Sequence, residues 1–141
     1  MANALYDKGR ESFLGQNPAL DWDTDTIKAV LVRTGAGHYV VNLATDQYLS
    51  AIASGDRLAT SSALTSKTVA AGVADCDDIT WAAVAGGSGD VGAIVFYKDT
   101  GSAATSPLIA YLDTVTGVPF TPSGADVILA IDNGSNKLFK L

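Results

Sequence analysis

At 141 residues, with 48% hydrophobic and only 17% charged positions, the chain has the composition of one globular domain and not of a disordered polyelectrolyte. A net charge of −6, with its nine basic residues scattered and never clustered, speaks against nucleic acid or an anionic membrane surface as a main partner. Glu11 is the only glutamate among fifteen acidic residues, and aspartate favours turns and caps, so a salt-bridged helical bundle is excluded in favour of strands joined by turns.

In chain order, residues 1–20 form a segment of their own, an N-terminal helix or arm. Ala4, Leu5, Tyr6, Phe13 and Leu14 fall on one side of a short helix with Asn3 as its cap, and Gly15-Gln16-Asn17-Pro18 ends it. Residues 21–141 carry the punctuation of β structure. Strands are expected over Ile27–Arg33, Tyr39–Leu43, Thr68–Val73, Ile79–Val84, Ala93–Tyr97, Pro107–Asp113, Val127–Asp132 and Lys137–Leu141. A helical turn is expected over Asp46–Ser54, where Tyr48, Leu49 and Ile52 share a face. Asn133-Gly134 is a preferred hairpin pair and joins the last two strands. About eight short strands at regular spacing predict an all-β single domain, a β-sandwich or jelly roll. Ile94-Val95-Phe96 and Val127-Ile128-Leu129 are apolar without alternation, so both faces of those strands are expected to be covered, by a helix or by another chain.

The opening residues include charges at Asp7, Lys8, Arg10 and Glu11 with no apolar stretch, so no signal peptide is expected. Nor does any apolar run reach the length of a membrane span. A single cysteine, Cys76, has no internal disulfide partner, which fits folding in a reducing cytoplasm. Asn133-Gly134-Ser135 matches a glycosylation sequon but reads as a turn in a protein that is not secreted.

Groups able to do chemistry are sparse, and no catalytic residue, cofactor or metal ligand is assigned. Gly87-Ser88-Gly89-Asp90-Val91-Gly92 matches the dinucleotide-binding string, but a strand follows it where the motif requires a helix N-terminus. The same glycine-rich loop lacks the last glycine of a nucleophile elbow, and the only histidine, His38, sits by a glycine turn. Asp21, Asp23 and Asp25 alternate like the start of a calcium loop, yet Thr26 and Val32 stand where glycine and a bidentate glutamate belong. In Asp75-Cys76-Asp77-Asp78 the carboxylates disfavour the thiolate, and zinc would need ligands the chain lacks. The expectation is therefore a non-enzyme acting through its surface. Trp22, flanked by Asp21 and Asp23, is expected to be partly exposed, whereas Trp81 is expected in the core. The candidate partner-binding residues are Leu5, Tyr6, Phe13, Leu14 and Trp22.

Several stretches resemble a family of small structural proteins of tailed bacteriophages. They are the opening Met1-Ala2-Asn3-Ala4-Leu5-Tyr6-Asp7-Lys8-Gly9-Arg10, then Asp21-Trp22-Asp23-Thr24-Asp25-Thr26-Ile27-Lys28 and Ala63-Leu64-Thr65-Ser66-Lys67-Thr68-Val69. Tyr97-Lys98-Asp99-Thr100-Gly101 and the ending from Asp132 to Leu141 complete the likeness. The resemblance to capsid decoration (cement) proteins implies a virion protein on the outer surface of the icosahedral head, made in the bacterial host cytoplasm. The implied partners are the phage major capsid protein and further copies of this chain, as a homodimer or homotrimer, with no nucleic acid and no membrane. A tail or fibre component, or a β-sandwich module binding a sugar or metal, are the alternatives.

Overall fold

The computed structural model describes residues 3–86, 89–135 and 137–141. Among the described residues ten strands and one α-helix follow in order: β1 (Ala4–Leu5), α1 (Asp7–Phe13), β2 (Ile27–Val32), β3 (Arg57–Thr60), β4 (Thr68–Ala70), β5 (Val73–Asp75), β6 (Ile79–Trp81), β7 (Ala93–Lys98), β8 (Leu108–Leu112), β9 (Val127–Leu129) and β10 (Phe139–Lys140). They form a main sheet of order β1-β8-β7-β2-β3, a small sheet β10-β5-β4 and a pair β6-β9, all with antiparallel pairing. The protein is a small, mostly-β single domain, as its turn-rich, glutamate-poor sequence leads one to expect.

Side chains on β2 divide cleanly between two cores. Ile27, Ala29 and Leu31 enter one, while Val30 and Val32 enter the other. On β7, Ile94 and Phe96 face the first core, and Ala93, Val95 and Tyr97 the second. A sheet buried on both faces has no polar positions to alternate with, hence the continuous apolar runs. The chain's own small sheets and loops supply most of the two covers, with α1 laid across β8. The first core is closed by the small sheets, through Ala74, Ile79, Trp81, Leu129 and Phe139 with Trp22. Its centre is Trp81, whose indole N–H donates to the Ala29 carbonyl at 3.2 Å. The second is closed by the segment after β2, through Tyr39, Leu49 and Ile52, together with Tyr6.

The expected N-terminal helix or arm over 1–20 is instead built into the domain. Ala4–Leu5 is an edge strand paired with β8, and α1 starts only after Tyr6. Asn3 caps nothing. Its side-chain amide receives the Thr114 N–H at 2.8 Å and donates to the Thr114 carbonyl at 3.3 Å, pinning the chain end to the loop after β8. The helix stops where the sequence says it should: Gly15 N–H bonds to Ser12 O and Gln16 N–H to Glu11 O, the double bond of a Schellman ending.

Three further expectations change in the folded chain. Tyr39–Leu43 is not a strand. Beyond one bridge between Thr34 and Tyr39, the backbone there bonds elsewhere: Asn42 N–H goes to the Asp46 carboxylate at 2.9 Å, and Leu43 O accepts the first helical N–H, from Asp7, at 2.9 Å. Thr68–Val73 is a hairpin and not one strand, turned by Ala71 (φ 52°) and Gly72 (φ 77°), which give the two-residue turn its positive φ angles. Asn133-Gly134 does not close a hairpin, because β9 pairs with β6 and β10 with β5. The helical turn expected over Asp46–Ser54 appears as two 3-10 turns, Leu49–Ala51 and Ser54–Asp56. β3, a partly exposed edge strand of only four residues, has no counterpart among the expected elements.

Candidate interaction surface

The groups weighed for chemistry in the sequence are distributed and engaged in local structure. His38 Nδ1 lies 2.8 Å from Asp56 Oδ1, tying the loop after β2 to the turn before β3. Asp25 accepts the Asp21 N–H at 2.8 Å and pairs with Lys98 at 3.0 Å, closing a turn at the entrance to β2. In the Asp75–Asp78 stretch, Asp75 pairs with Lys137 at 3.1 Å, Asp77 accepts the Thr65 and Ser66 hydroxyls at 2.8 Å each, and Asp78 caps the Ile131 N–H at 2.8 Å. Among the described residues, no three His, Cys, Asp or Glu side chains converge as a metal would require. Gly87 and Ser88 of the dinucleotide-like string lie outside the described residues. The string leads through Gly92 directly into β7, so no helix N-terminus faces it.

Cys76 is buried, and burial first, then Asp75, Asp77 and Asp78, push its thiol up to about 12. The thiolate is the reactive form. Native protein at pH 8 is accordingly expected to react with a thiol-specific disulfide reagent at least about a hundredfold more slowly than urea-unfolded protein. Equal rates, followed by absorbance, would show that the Cys76 pocket opens readily.

The surface itself is more distinctive. Phe13 at the end of α1, Trp22 and Phe139 of β10 form an aromatic cluster, with ring centroids 6.1 Å apart for Phe13–Phe139 and 5.2 Å apart, nearly perpendicular, for Trp22–Phe139. Trp22 is held in place by its indole N–H, which donates to Asp75 O at 3.1 Å. Together with Leu20, Val69 and Leu141 these rings line an open groove of about 290 Å³. Val69 (55% exposed) and Leu141 (57%) flank it, and Leu14 (89%), the residue after Phe13, stands free. Asp21 and Asp23 complete the lining. Their carboxyls hydrogen-bond each other, which holds Asp21 below the ordinary carboxylate range and Asp23 above it. A second, smaller cleft of about 220 Å³ runs beside β9, where Ile128 is exposed.

This placement divides the five expected contact residues. Leu14 is open to solvent and Phe13 is half-buried at the groove. Leu5 and Tyr6 are not free to meet a partner, and Trp22 offers only the sliver of its ring that lines the groove. Tyr6 is completely buried, and Trp22 is only 3% exposed, because the small sheet folds over it. The exposed tryptophan that motivated a sugar-binding reading is therefore absent. Sequence reasoning missed Val69 and Leu141. The available signal was the lone valine of Lys67-Thr68-Val69-Ala70, an apolar side chain in a stretch otherwise too small and polar to be core.

No family model matches the sequence, and no curated protein matches it.

Proposed function

We propose that this chain is a structural protein of a tailed-bacteriophage virion that binds the outer surface of the head and braces the joints between major capsid protein subunits. The observation that carries this reading is the groove bounded by Phe13, Val69 and Leu141, an apolar surface left open on the domain. The resemblance of its sequence to small phage structural proteins supports the same reading. Apolar and small polar side chains are cheap to desolvate, so a low-charge surface suits a protein that lies flat against another. A shell under internal pressure separates at its joints, and each module bound across a joint adds association free energy that must be lost first. Individual contacts can be smaller than the standard ~1,600 Å² because many symmetric copies act together. The acidic balance favours the outer face, away from packaged DNA, and a homodimer or homotrimer would match the local symmetry of such joints.

The test is addition of purified protein to expanded heads that lack it. Binding is expected to saturate at a fixed ratio to the major capsid protein and to raise the temperature at which heads disrupt. Heads that take up none of it would overturn the proposal. A handful of copies per particle, against hundreds, would move it to the tail or a fibre.

A further inference from the structure

The free edge of the small sheet lies directly beside the aromatic groove. In the order β10-β5-β4, β4 is terminal, and Thr68, Val69 and Ala70 are all exposed. The two-residue turn at Ala71-Gly72 makes Ala70 and Val73 the hydrogen-bonded pair next to it. Thr68 and Asp75 are the following such pair in the register. Val69 between them therefore directs its own N–H and C=O away from β5, toward the open edge, while its side chain borders the groove. Natural sheets blunt such edges with lysine, proline or a covering loop. Here the central residue is a valine and nothing among the described residues lies over it.

The charge at this rim is specific as well. Of the carboxylates nearby, Asp25 and Asp75 each have a lysine, Lys98 and Lys137. Asp21 and Asp23 have no ion-pair partner among the described residues, and the Lys67 ammonium donates to the main-chain carbonyls of Asp23 and Asp25 at 3.2 and 2.7 Å. The Asp21 and Asp23 carboxyls share one hydrogen bond, and a guanidinium bridging them lets both ionise while donating to both. A second copy of this chain would bring a second pair of like charges and an overall charge of −6, so self-pairing at this edge is disfavoured.

We propose that β4 and the adjoining groove receive an extended segment of a partner protein as an added strand. The segment carries a large apolar side chain that enters the groove by Trp22, Val69 and Phe139, and an arginine two residues away that sits across Asp21 and Asp23. The spacing of two follows from the strand repeat, which puts alternate side chains on the same face. This rests on the head-binding reading only for the identity of the partner, an extended arm of the capsid subunit; the groove and its edge stand independently of it.

The probe is the blocked hexapeptide Thr-Phe-Thr-Arg-Thr-Val, titrated into the full chain and followed by backbone amide and indole NMR shifts. Shifts confined to residues 20–23, 67–72 and 139–141 are expected, with binding about tenfold weaker when glutamate replaces the arginine. Val69→Pro, which removes the outward N–H from an edge position that tolerates proline, should abolish the shifts while leaving the thermal transition in place. Equal binding of the glutamate peptide, shifts elsewhere on the surface, no binding at millimolar peptide, or a dimer of the free protein that Val69→Pro dissolves would each overturn the inference. Heads provide the separation from the parent reading. Folded Val69→Pro protein that saturates heads with unchanged affinity sinks the groove and leaves head binding intact, whereas wild-type protein that binds the peptide but not heads does the reverse.

Discussion

Removal of residues 1–16 is expected to abolish cooperative folding, and Tyr6→Ala alone to cost about 3–5 kcal/mol. Residues 4 and 5 pair with Tyr111 and Ala110, and Tyr6 N–H continues the ladder to Ile109 O at 3.0 Å, so this segment supplies the edge of the main sheet. Tyr6 then fills the second core with no exposed surface. Its hydroxyl meets that of Tyr39 at 2.9 Å, and Tyr39 in turn donates to the Asp46 carboxylate at 2.6 Å. Burial pushes both phenols up, so the chain of hydroxyls stays protonated across the working pH range. Without Tyr6, the Tyr39 hydroxyl loses a buried partner and the core gains a large cavity. A domain of this size is held by only about 5–15 kcal/mol, so losing the whole segment exceeds what remains. Urea unfolding followed by circular dichroism checks this. A truncated protein with an unchanged midpoint would mean that the segment is a detachable arm after all. Leu14→Asp is the matched control, expected within about 0.5 kcal/mol of wild type because Leu14 lies in solvent.

Gly9→Ala is expected to destabilise the protein by about 1–3 kcal/mol, the opposite of the usual sign. In an exposed helix interior this exchange gains about 1 kcal/mol, since glycine loses the most backbone freedom on folding. Gly9 is buried, however, with α1 laid across β8. A methyl group on Gly9 would stand 2.7 Å from Leu108 O and 3.2 Å from Ile109 Cα. Both are backbone atoms of a strand bonded on both sides, so neither can give way as a flexible side chain would. The helix must lift, weakening the contact that seats Tyr6. Thermal melts of the two proteins decide the sign directly; a Gly9→Ala variant more stable than wild type would show that α1 is only loosely seated.

These two positions also show how far the sequence can be read. Gly9 reads locally as a flaw in a helix, and the folded chain makes it a requirement, because the sequence does not say which strand the helix will press against. Strands β2, β7 and β8 were legible nearly to the residue, since long apolar runs bounded by Gly, Pro and Asp have few alternatives. Short strands with two or three paired residues were legible in outline at best, and β1 and β3 not at all. β3 and β10 owe their pairing to neighbours distant in the chain, and the Asn133-Gly134 turn, favourable for a hairpin in isolation, is overridden by β5 and β6 as better-placed partners. The candidate surface was legible in part. Phe13 and Leu14 were found from the helical spacing, whereas Val69 and Leu141 join them only through the fold of the small sheet.

What the sequence determined unaided is what depends on neighbours within a few residues: a β-rich class from its turn chemistry and near-absence of glutamate, the C-terminal end of the helix, and β7 as a strand buried on both faces, whereas β9, expected to be covered likewise, leaves Ile128 in solvent. Tertiary structure decided which apolar residues are core and which are surface. Tyr6 and Trp22 are indistinguishable by local pattern from exposed anchors, and they are buried because segments more than thirty residues away close over them. Burial is a property of the packed whole, where the free energy of removing a ring from water depends on what meets it and not on what precedes it in the chain.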